Sequence, residues 1–226
     1  MSANEMNQLI EAFRIANKDE CLRLLNIKDI NINIKDYKYY NRYLIHWACF
    51  HNLLDIVKLL LDKGADIHVK NSHGWTPIME ASRNGYFEIV ELLLSKGANV
   101  NDQGNDGYTP LMLACCNIVR TTLKMPIPLA LGCKPEGLDL PPKQYTYNPD
   151  SNYNEYSDVI KYLLCNGANI HYKSQSGLTC IQLTRCKQVK SILENWNTIM
   201  LIEIYQNISG VVYNELAGSL FDFQEY

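Results

Sequence analysis

The chain has 226 residues, of which 47% are hydrophobic and 20% are charged. This ordinary globular composition excludes a wholly disordered chain, a collagen and a coiled coil. The formal net charge is −3 at pH 7, and no run of Lys or Arg exceeds two residues. The charge pattern therefore argues against a nucleic-acid binder that relies on a basic face.

The amino-terminal residues, Met1 to Glu5, lack the basic and apolar segments of a signal peptide. The apolar stretch at 199–204 is interrupted by Glu203, and no segment approaches the ~20 apolar residues that a membrane span needs. We therefore expect a cytoplasmic protein without a membrane partner, and entry into the nucleus is left open.

Eight cysteines are present, and none belongs to the C-x-x-C pair that is typical of zinc and redox sites. Most of them stand in apolar runs, as Cys49 does between Ala48 and Phe50. We therefore interpret the cysteines as reduced thiols that act as small core residues.

Two short sequence words recur on the same frame. The first two copies of each word lie 33 residues apart, and the third copies follow 70 residues later, which equals 33 plus an insertion of 37. Two independent words with one shared spacing indicate an internal structural repeat. The first word occupies 64–68, 97–101 and 167–171, and the second occupies 74–79, 107–112 and 177–181.

The second word predicts the start of a helix. Thr76 is expected to supply a capping oxygen, and Pro77 fits the first helical position, where its missing N–H costs nothing. Small residues follow at the same position of successive repeats, so that a neighbouring helix can approach closely. These residues are Ala48, Ala81 and Ala114.

A second helix is predicted to begin near Phe87 and to end at the first word. An acidic residue is expected near the positive end of this helix in each repeat, at Asp55, Glu88 and Asp158. The glycine of the first word is expected to end the helix in the left-handed conformation. These glycines are Gly64, Gly97 and Gly167.

The complete pattern resembles the ankyrin repeat, whose motif is close to D-x-x-G-x-T-P-L-H-x-A-A, followed by G-x-x-x-I-V-x-L-L-L-x-x-G-A-D-V-N. The resemblance covers roughly residues 5–195. It implies an all-α fold, a solenoid of stacked helix-turn-helix units with hairpin-like loops. Met79 and Met112 replace the His of the motif, which only His46 keeps, so we expect an array less regular than the consensus.

The resemblance implies ankyrin repeats over 1–195, made of an amino-terminal cap, two full repeats, one split repeat and a short terminal repeat. Residues 118–155 hold six of the eight prolines. We interpret them as a tolerated surface insertion, with a partner-specific arm as the alternative. Residues 196–226 are predicted to form a capping helix and tail. The boundaries are 5–35 for the cap and 38–70, 71–103, 104–117 plus 156–173, and 174–195 for the repeats.

The sequence gives little evidence for catalytic or metal-binding residues. His46 and His51 are five residues apart and cannot form a metal pair on one helix face, and His68 and His171 share one repeat position, which indicates a structural role. Cys115 lies on a helix face set by packing, without a partner group for a nucleophile. We therefore predict no catalysis, no cofactor and no metal.

The ankyrin resemblance implies that a partner protein binds the concave face, which the loop tips and the first helix of each repeat form. Tyr, Trp and Arg dominate interface energetics, so we expect Trp75→Ala to weaken binding by about 2 kcal/mol or more and to leave unfolding little changed. The candidate binding residues, interpreted as exposed, are Tyr39, Tyr40, Arg42, Phe50, His51, Ser72, His73, Trp75, Arg83, Asn84, Asn105, Asp106, Tyr108 and Asn117.

The function that these patterns favour is a monomeric, non-enzymatic protein-interaction module. The alternative is an adaptor that delivers a bound protein to a ubiquitin ligase through the carboxy-terminal segment, as some viral ankyrin proteins do. The capping segment and the bias toward Asn, Lys and Ile are similar to those of ankyrin proteins from giant viruses of amoebae.

Overall fold

The computed structural model describes residues 3–27, 30–122, 149–184, 186–196 and 198. The chain forms two compact parts, Met1–Cys186 and Lys187–Tyr226. In chain order, the elements of the first part are α1 (Ala3–Arg14), α2 (Lys18–Leu25), β1 (Lys35–Asp36), β2 (Arg42–Tyr43), α3 (Leu44–Phe50), α4 (Leu54–Asp62), α5 (Pro77–Asn84), α6 (Phe87–Ser95), α7 (Pro110–Thr122), α8 (Pro149–Cys165) and α9 (Cys180–Leu183).

The first helix of a repeat begins where the sequence predicts it. In α5, Thr76 is the capping residue and Pro77 the first helical residue. The predicted capping bond is present in α7, where the hydroxyl of Thr109 accepts from the N–H of Met112 at 3.2 Å. In α5 the prediction is wrong, because the buried hydroxyl of Thr76 has no hydrogen-bond partner among the described residues.

The second helix of a repeat ends at the predicted glycine. Gly64, Gly97 and Gly167 have φ values of 84°, 91° and 85°, which confirms the left-handed termination. At the end of α4, the N–H of Ala65 donates to the carbonyl of Leu60 at 2.9 Å, which satisfies one of the last helical carbonyls.

The helices pack in two rows that follow chain order. Helices α3, α5, α7 and α9 contact one another in succession, and so do α2, α4, α6 and α8. Ala48, Ala81 and Ala114 are fully buried, so the prediction that small residues let successive first helices approach is confirmed. In the second row, buried Ile, Val and Leu side chains each contribute about 1.5–3 kcal/mol. They include Ile56, Val57 and Leu60 of α4 and Ile89, Val90 and Leu93 of α6.

The loops that precede α3, α5, α7 and α9 share one hairpin-like form, and we call them fingers 1 to 4. They span 35–43, 68–76, 101–109 and 171–179, respectively. In fingers 2 to 4 a glycine turns the chain with a φ of 72° at Gly74, 75° at Gly107 and 77° at Gly177. Asn41, with a φ of 52°, takes that place in finger 1. All four fingers therefore turn at the same repeat position, with a residue of positive φ.

Finger 1 contains a small antiparallel sheet. Lys35 of β1 pairs with Tyr43 of β2, and Asp36 pairs with Arg42. The prediction of an all-α fold with hairpin-like loops therefore fits the dominant helices, and finger 1 adds a two-stranded sheet that the sequence pattern did not specify. Strands of two residues are too short to show the alternation of apolar and polar residues by which a strand is predicted.

The helices on either side of the proline-rich segment extend beyond the predicted repeat. Helix α7 continues to Thr122 and α8 begins at Pro149. Asp158 therefore lies well inside α8, and the expectation that it lies at the positive end of a helix is wrong. Residues 123–148 lie outside the described residues, so the role assigned to the insertion stays a prediction.

The second compact part is described over one helical stretch, residues 187–196. Lys190 and Glu194 form an ion pair on it at 3.7 Å. The sequence assigns the capping helix and tail to 196–226, of which the structure describes only residues 196 and 198, so this assignment stays a prediction.

Candidate functional site

Backbone hydrogen bonds join the tips of the four fingers. The N–H of Ser72 donates to the carbonyl of Tyr40, and the N–H of Asn105 donates to that of His73, each at 2.8 Å. Gln175 repeats this bond to the carbonyl of Asp106, also at 2.8 Å. The donors occupy one repeat position and the acceptors another, so the same bond recurs from finger to finger. We call the residues at these two positions in fingers 1 to 3 the tip ridge, namely Tyr39, Tyr40, Ser72, His73, Asn105 and Asp106.

The tip ridge brings together six of the residues that the sequence proposes for partner binding. Ser72, His73 and Asn105 are exposed, whereas Tyr39, Tyr40 and Asp106 are half-buried. The rings of Tyr40 and His73 lie 4.5 Å apart between their centres, which links fingers 1 and 2 through side chains as well. The ridge therefore presents aromatic and polar groups in fixed order.

Two residues interpreted as exposed are buried instead. Arg42 is 7% exposed and Tyr108 is 8% exposed. Both occupy the repeat position of Trp75, which is half-buried. Leu178, at the same position of finger 4, is 37% exposed. The expectation that Arg42 and Tyr108 are exposed is wrong, and neither belongs to the candidate surface.

Arg42 forms a buried ion pair between two repeats. Its Nη2 lies 3.0 Å from Oε1 of Glu80 in α5, and its Nε donates to the same oxygen at 3.1 Å. The guanidinium also lies 4.7 Å from the ring centre of Trp47 and 4.9 Å from that of Phe50. Loss of one partner would leave a buried charge uncompensated, at a cost of about 3–5 kcal/mol. Arg42 therefore holds finger 1 on α5.

Trp75 is half-buried and supports the neighbouring finger. A Cβ added to Gly104 of finger 3 would lie 2.7 Å from Cδ1 of the indole, so the ring fills the space above this glycine. The guanidinium carbon of Arg83 lies 5.1 Å from the ring centre on another side. Truncation of Trp75 would therefore lower stability, contrary to the expectation that Trp75→Ala leaves unfolding little changed.

The carboxy-terminal residues of the first helices lie beside the fingers. Phe50, His51, Arg83 and Asn84 are all half-buried. An N–H at Nε2 of His51 donates to the carbonyl of Arg14 at 3.0 Å, and Asn84 donates to the carbonyl of Glu80 at 2.8 Å. These contacts fix the two polar side chains. The side chain of Asn117 lies outside the described residues, so its assignment stays a prediction.

His46 ties finger 1 to finger 2. Its Nδ1 accepts from the N–H of Tyr43 at 3.2 Å, and its Nε2 donates to the carbonyl of Trp75 at 2.8 Å. Both contacts require the neutral ring with its proton on Nε2. Burial lowers the pKa of His46 to about 4, which keeps the ring neutral at physiological pH.

The ankyrin-repeat pattern is detected independently of this geometry. A family model described as "Ankyrin repeats (3 copies)" matches residues 9–104 and 45–125. Together these ranges include more than half of the chain. The chain belongs to the ankyrin-repeat family. Ankyrin repeats generally serve protein–protein interaction and not catalysis, so the family implies protein partners for this chain.

A curated relative shares a short part of this ankyrin sequence. Over 44 residues the chain is 50% identical to the probable E3 ubiquitin-protein ligase XBOS33 of Oryza sativa subsp. japonica. The match covers 20% of this chain and spans only 8% of the relative. The likeness is therefore limited to little more than one ankyrin repeat.

Four of the seven described cysteines lie in the interior, as predicted, whereas Cys116 and Cys186 are half-buried and Cys165 is exposed, so for Cys165 the prediction of a core position is wrong. Cys21, Cys49, Cys115 and Cys180 are buried. Burial raises the pKa of the Cys21 thiol to about 12, and a hydrogen bond with Cys180 together with burial raises that of Cys115 well above its usual value. A buried thiol that resists ionisation is a poor nucleophile.

Among the described residues, no helix has both the length and the apolar character that crossing a membrane requires.

Sequence reasoning missed the most exposed aromatic residue of the fingers. Tyr37 is 81% exposed and lies in finger 1. The same repeat position holds Lys70, Gln103 and Lys173 in the other fingers, and all three are exposed. Alignment of the repeats with one another could have revealed Tyr37, because it is an aromatic residue at a position that is polar in the other three repeats.

Proposed function

We propose that this protein is a non-enzymatic interaction module that binds a partner protein through the tip ridge and the adjoining ends of the first helices. The main support for this proposal is the hydrogen bond that recurs from finger to finger. It aligns exposed side chains that do not pack in the helical core. A rigid row of aromatic and polar groups loses little conformational freedom on binding. This arrangement suits recognition of another macromolecule.

The proposal includes a solenoid in which the repeats stack and the fingers border a concave face. Its support is the succession of helix contacts, each helix touching the equivalent helix of the next repeat. On that face we place the tip ridge together with Phe50, His51, Arg83 and Asn84. Trp75 acts from below the ridge, by supporting finger 3.

A photo-crosslinking amino acid placed on the full chain tests this proposal. It replaces Ser72 on the tip ridge in one variant and Lys96, an exposed residue after α6, in the matched control. After irradiation in a lysate of the source organism, we expect a discrete crosslinked protein from position 72 and none from position 96. Crosslinks of equal yield from both positions, or from position 96 alone, would contradict the proposal.

The second candidate function is an adaptor that brings the bound protein to a ubiquitin ligase through residues 207–226. The printed name of the relative, a probable E3 ubiquitin-protein ligase, gives this alternative slight support. Affinity capture from the same lysate with the full chain and with a deletion of 207–226 separates the two. Loss of a ligase subunit with retention of the first partner supports the adaptor, and an unchanged set of partners supports the simple module.

We propose a monomer that acts in the cytoplasm, with entry into the nucleus left open. A viral source also stays a proposal, and its support is the compositional bias toward Asn, Lys and Ile.

A further inference from the structure

Finger 1 differs from the other fingers in its chemistry. It carries Tyr37, Tyr39, Tyr40 and Tyr43 together with Lys35 and Lys38. No other finger has more than three aromatic residues, counting His, Tyr and Trp alike, and none of the others holds more than one tyrosine, so finger 1 is the tyrosine-rich and basic end of the row.

The two lysines of finger 1 have no carboxylate partner among the described residues. The nearby carboxylates are both taken by Arg14, which binds Asp36 through Nε at 2.7 Å and through Nη2 at 2.6 Å, and Glu11 through Nη1 at 2.8 Å. Lys35 and Lys38 lie instead over tyrosine rings. Their Nζ atoms are 5.3 Å from the ring centre of Tyr43 and 5.6 Å from that of Tyr39, respectively. Two positive charges therefore remain available to a ligand.

A groove of about 580 Å³ separates finger 1 from α1. Asn7, Gln8 and Glu11 line its α1 side, and residues 35–38 line the other. Tyr37 also forms one wall of a second groove of about 300 Å³ beside Asn31 and Asn33. The exposed phenol of Tyr37 thus stands between two grooves, where an extended chain could pass over it.

The finger-to-finger hydrogen bonds leave one position open at this end of the row. Ser72, Asn105 and Gln175 each donate a backbone N–H to the preceding finger. Tyr39 occupies the equivalent position in finger 1, and its N–H donates no backbone hydrogen bond among the described residues. A carbonyl from another chain would continue the same bonding pattern.

We infer that finger 1 and the groove beside α1 bind an extended acidic segment of the partner protein. Carboxylates of the segment pair with Lys35 and Lys38, a backbone carbonyl accepts from Tyr39, and a side chain packs on Tyr37. An acidic peptide fits better than a nucleic acid, because two free cations on a chain of net charge −3 offer little to a phosphate backbone. This inference rests on the proposed protein-binding function.

Fluorescence anisotropy of the full chain with a fluorescein-labelled peptide of alternating Glu and Ser tests the inference. The variant combines Lys35→Gln with Lys38→Gln, and the control combines Lys96→Gln with Lys161→Gln, which removes the same charge from exposed positions outside the fingers. We expect the dissociation constant to rise about tenfold in the variant and to stay unchanged in the control. A peptide of alternating Gln and Ser, and a single-stranded oligonucleotide, should bind neither protein.

Three outcomes overturn the inference: equal affinity of the variant and the unchanged chain for the Glu peptide, equal binding of the Gln peptide, or tighter binding of the oligonucleotide. The proposed function is judged separately by the crosslinking at Ser72. If a partner crosslinks at position 72 and its binding is unchanged by Lys35→Gln and Lys38→Gln, the proposed interaction module is supported and the inferred acidic segment is contradicted. If no partner crosslinks, the proposed interaction module is contradicted.

Discussion

His46 shows how a single side chain couples two repeats. The neutral ring accepts a hydrogen bond from Tyr43 and donates one to Trp75, so it satisfies backbone groups on fingers 1 and 2 at once. Protonation would remove the acceptor at Nδ1 and place a charge in the interior. The methionines at the equivalent position of the next two repeats, Met79 and Met112, have no N–H to donate, and Gln182 of the last repeat accepts from the N–H of Thr179 at 3.0 Å but does not titrate. The first two fingers are therefore the pair whose contact depends on pH.

The titration of His46 gives a prediction for stability. The pKa is about 4 in the folded chain, against an ordinary value of 6.5. Above pH 6.5 the ring is neutral in both states and contributes no pH dependence. As the pH falls from about 6.5 to about 4, only the unfolded chain takes up the proton, so the free energy of unfolding decreases by about 3 kcal/mol. Urea denaturation followed by tryptophan fluorescence at several pH values measures this decrease.

His46→Gln is the control for the titration. The variant is less stable at neutral pH, because Gln cannot reproduce both hydrogen bonds, and its stability should change less with pH above about pH 5. His73, whose pKa is also lowered by burial, contributes equally to both chains. Parallel pH profiles for the two chains would show that His46 does not titrate in this window.

Single residues also show what sequence reasoning can reach. The left-handed conformation of Gly64 was predictable, because a glycine that directly follows an apolar helical pattern usually ends the helix in that conformation. The burial of Arg42 was not, because it depends on Glu80, which is 38 residues away in sequence and lies on the helix of the next repeat. The repeat pattern predicts where a residue lies within its own repeat. It does not predict which residue of the next repeat it contacts, because that depends on how the repeats pack.

At the scale of elements, the fit of one finger on the next can be tested through Gly104. A methyl group at this residue would meet the indole of Trp75 at 2.7 Å, so Gly104→Ala should destabilise the chain by about 1–3 kcal/mol. Trp75→Phe provides a smaller ring at the contact and should itself cost about 1 kcal/mol. Thermal unfolding of both single variants and the double variant measures the coupling between the two residues.

The double variant decides whether the contact is the cause. If the methyl group collides with the indole, the double variant loses less stability than the sum of the single losses. Strict additivity would show that Gly104→Ala does not act through the indole, and would assign the loss to the close approach of the methyl group to Oδ1 of Asp106, at 2.8 Å, or to the backbone of residue 104. The result also bears on binding, because finger 3 carries Asn105 and Asp106 of the tip ridge.

The elements differ in how well the sequence predicts them. The start of α5 at Pro77 and the start of α6 at Phe87 follow from the repeated words and are confirmed. The start of α8 at Pro149 was missed, because the residues that precede the recurring pattern carry no period of 33. A repeat predicts what recurs, whereas the two-stranded sheet of finger 1 and the beginning of α8 each occur once among the described residues.

At the scale of the whole array, stability should decline toward its last described repeat. Helix α5 contacts α3 on one side and α7 on the other, whereas α9 has only four residues and packs on α7. In a linear array each repeat depends on its neighbours, so a short terminal helix opens without unfolding the rest. Hydrogen exchange by mass spectrometry on the full chain should show amides of α9 exchanging about a hundredfold faster than those of α5, after correction for intrinsic rates. Equal protection of α5 and α9 would mean that the array opens as one cooperative unit, in which case the contacts of α9 are as strong as those inside the row.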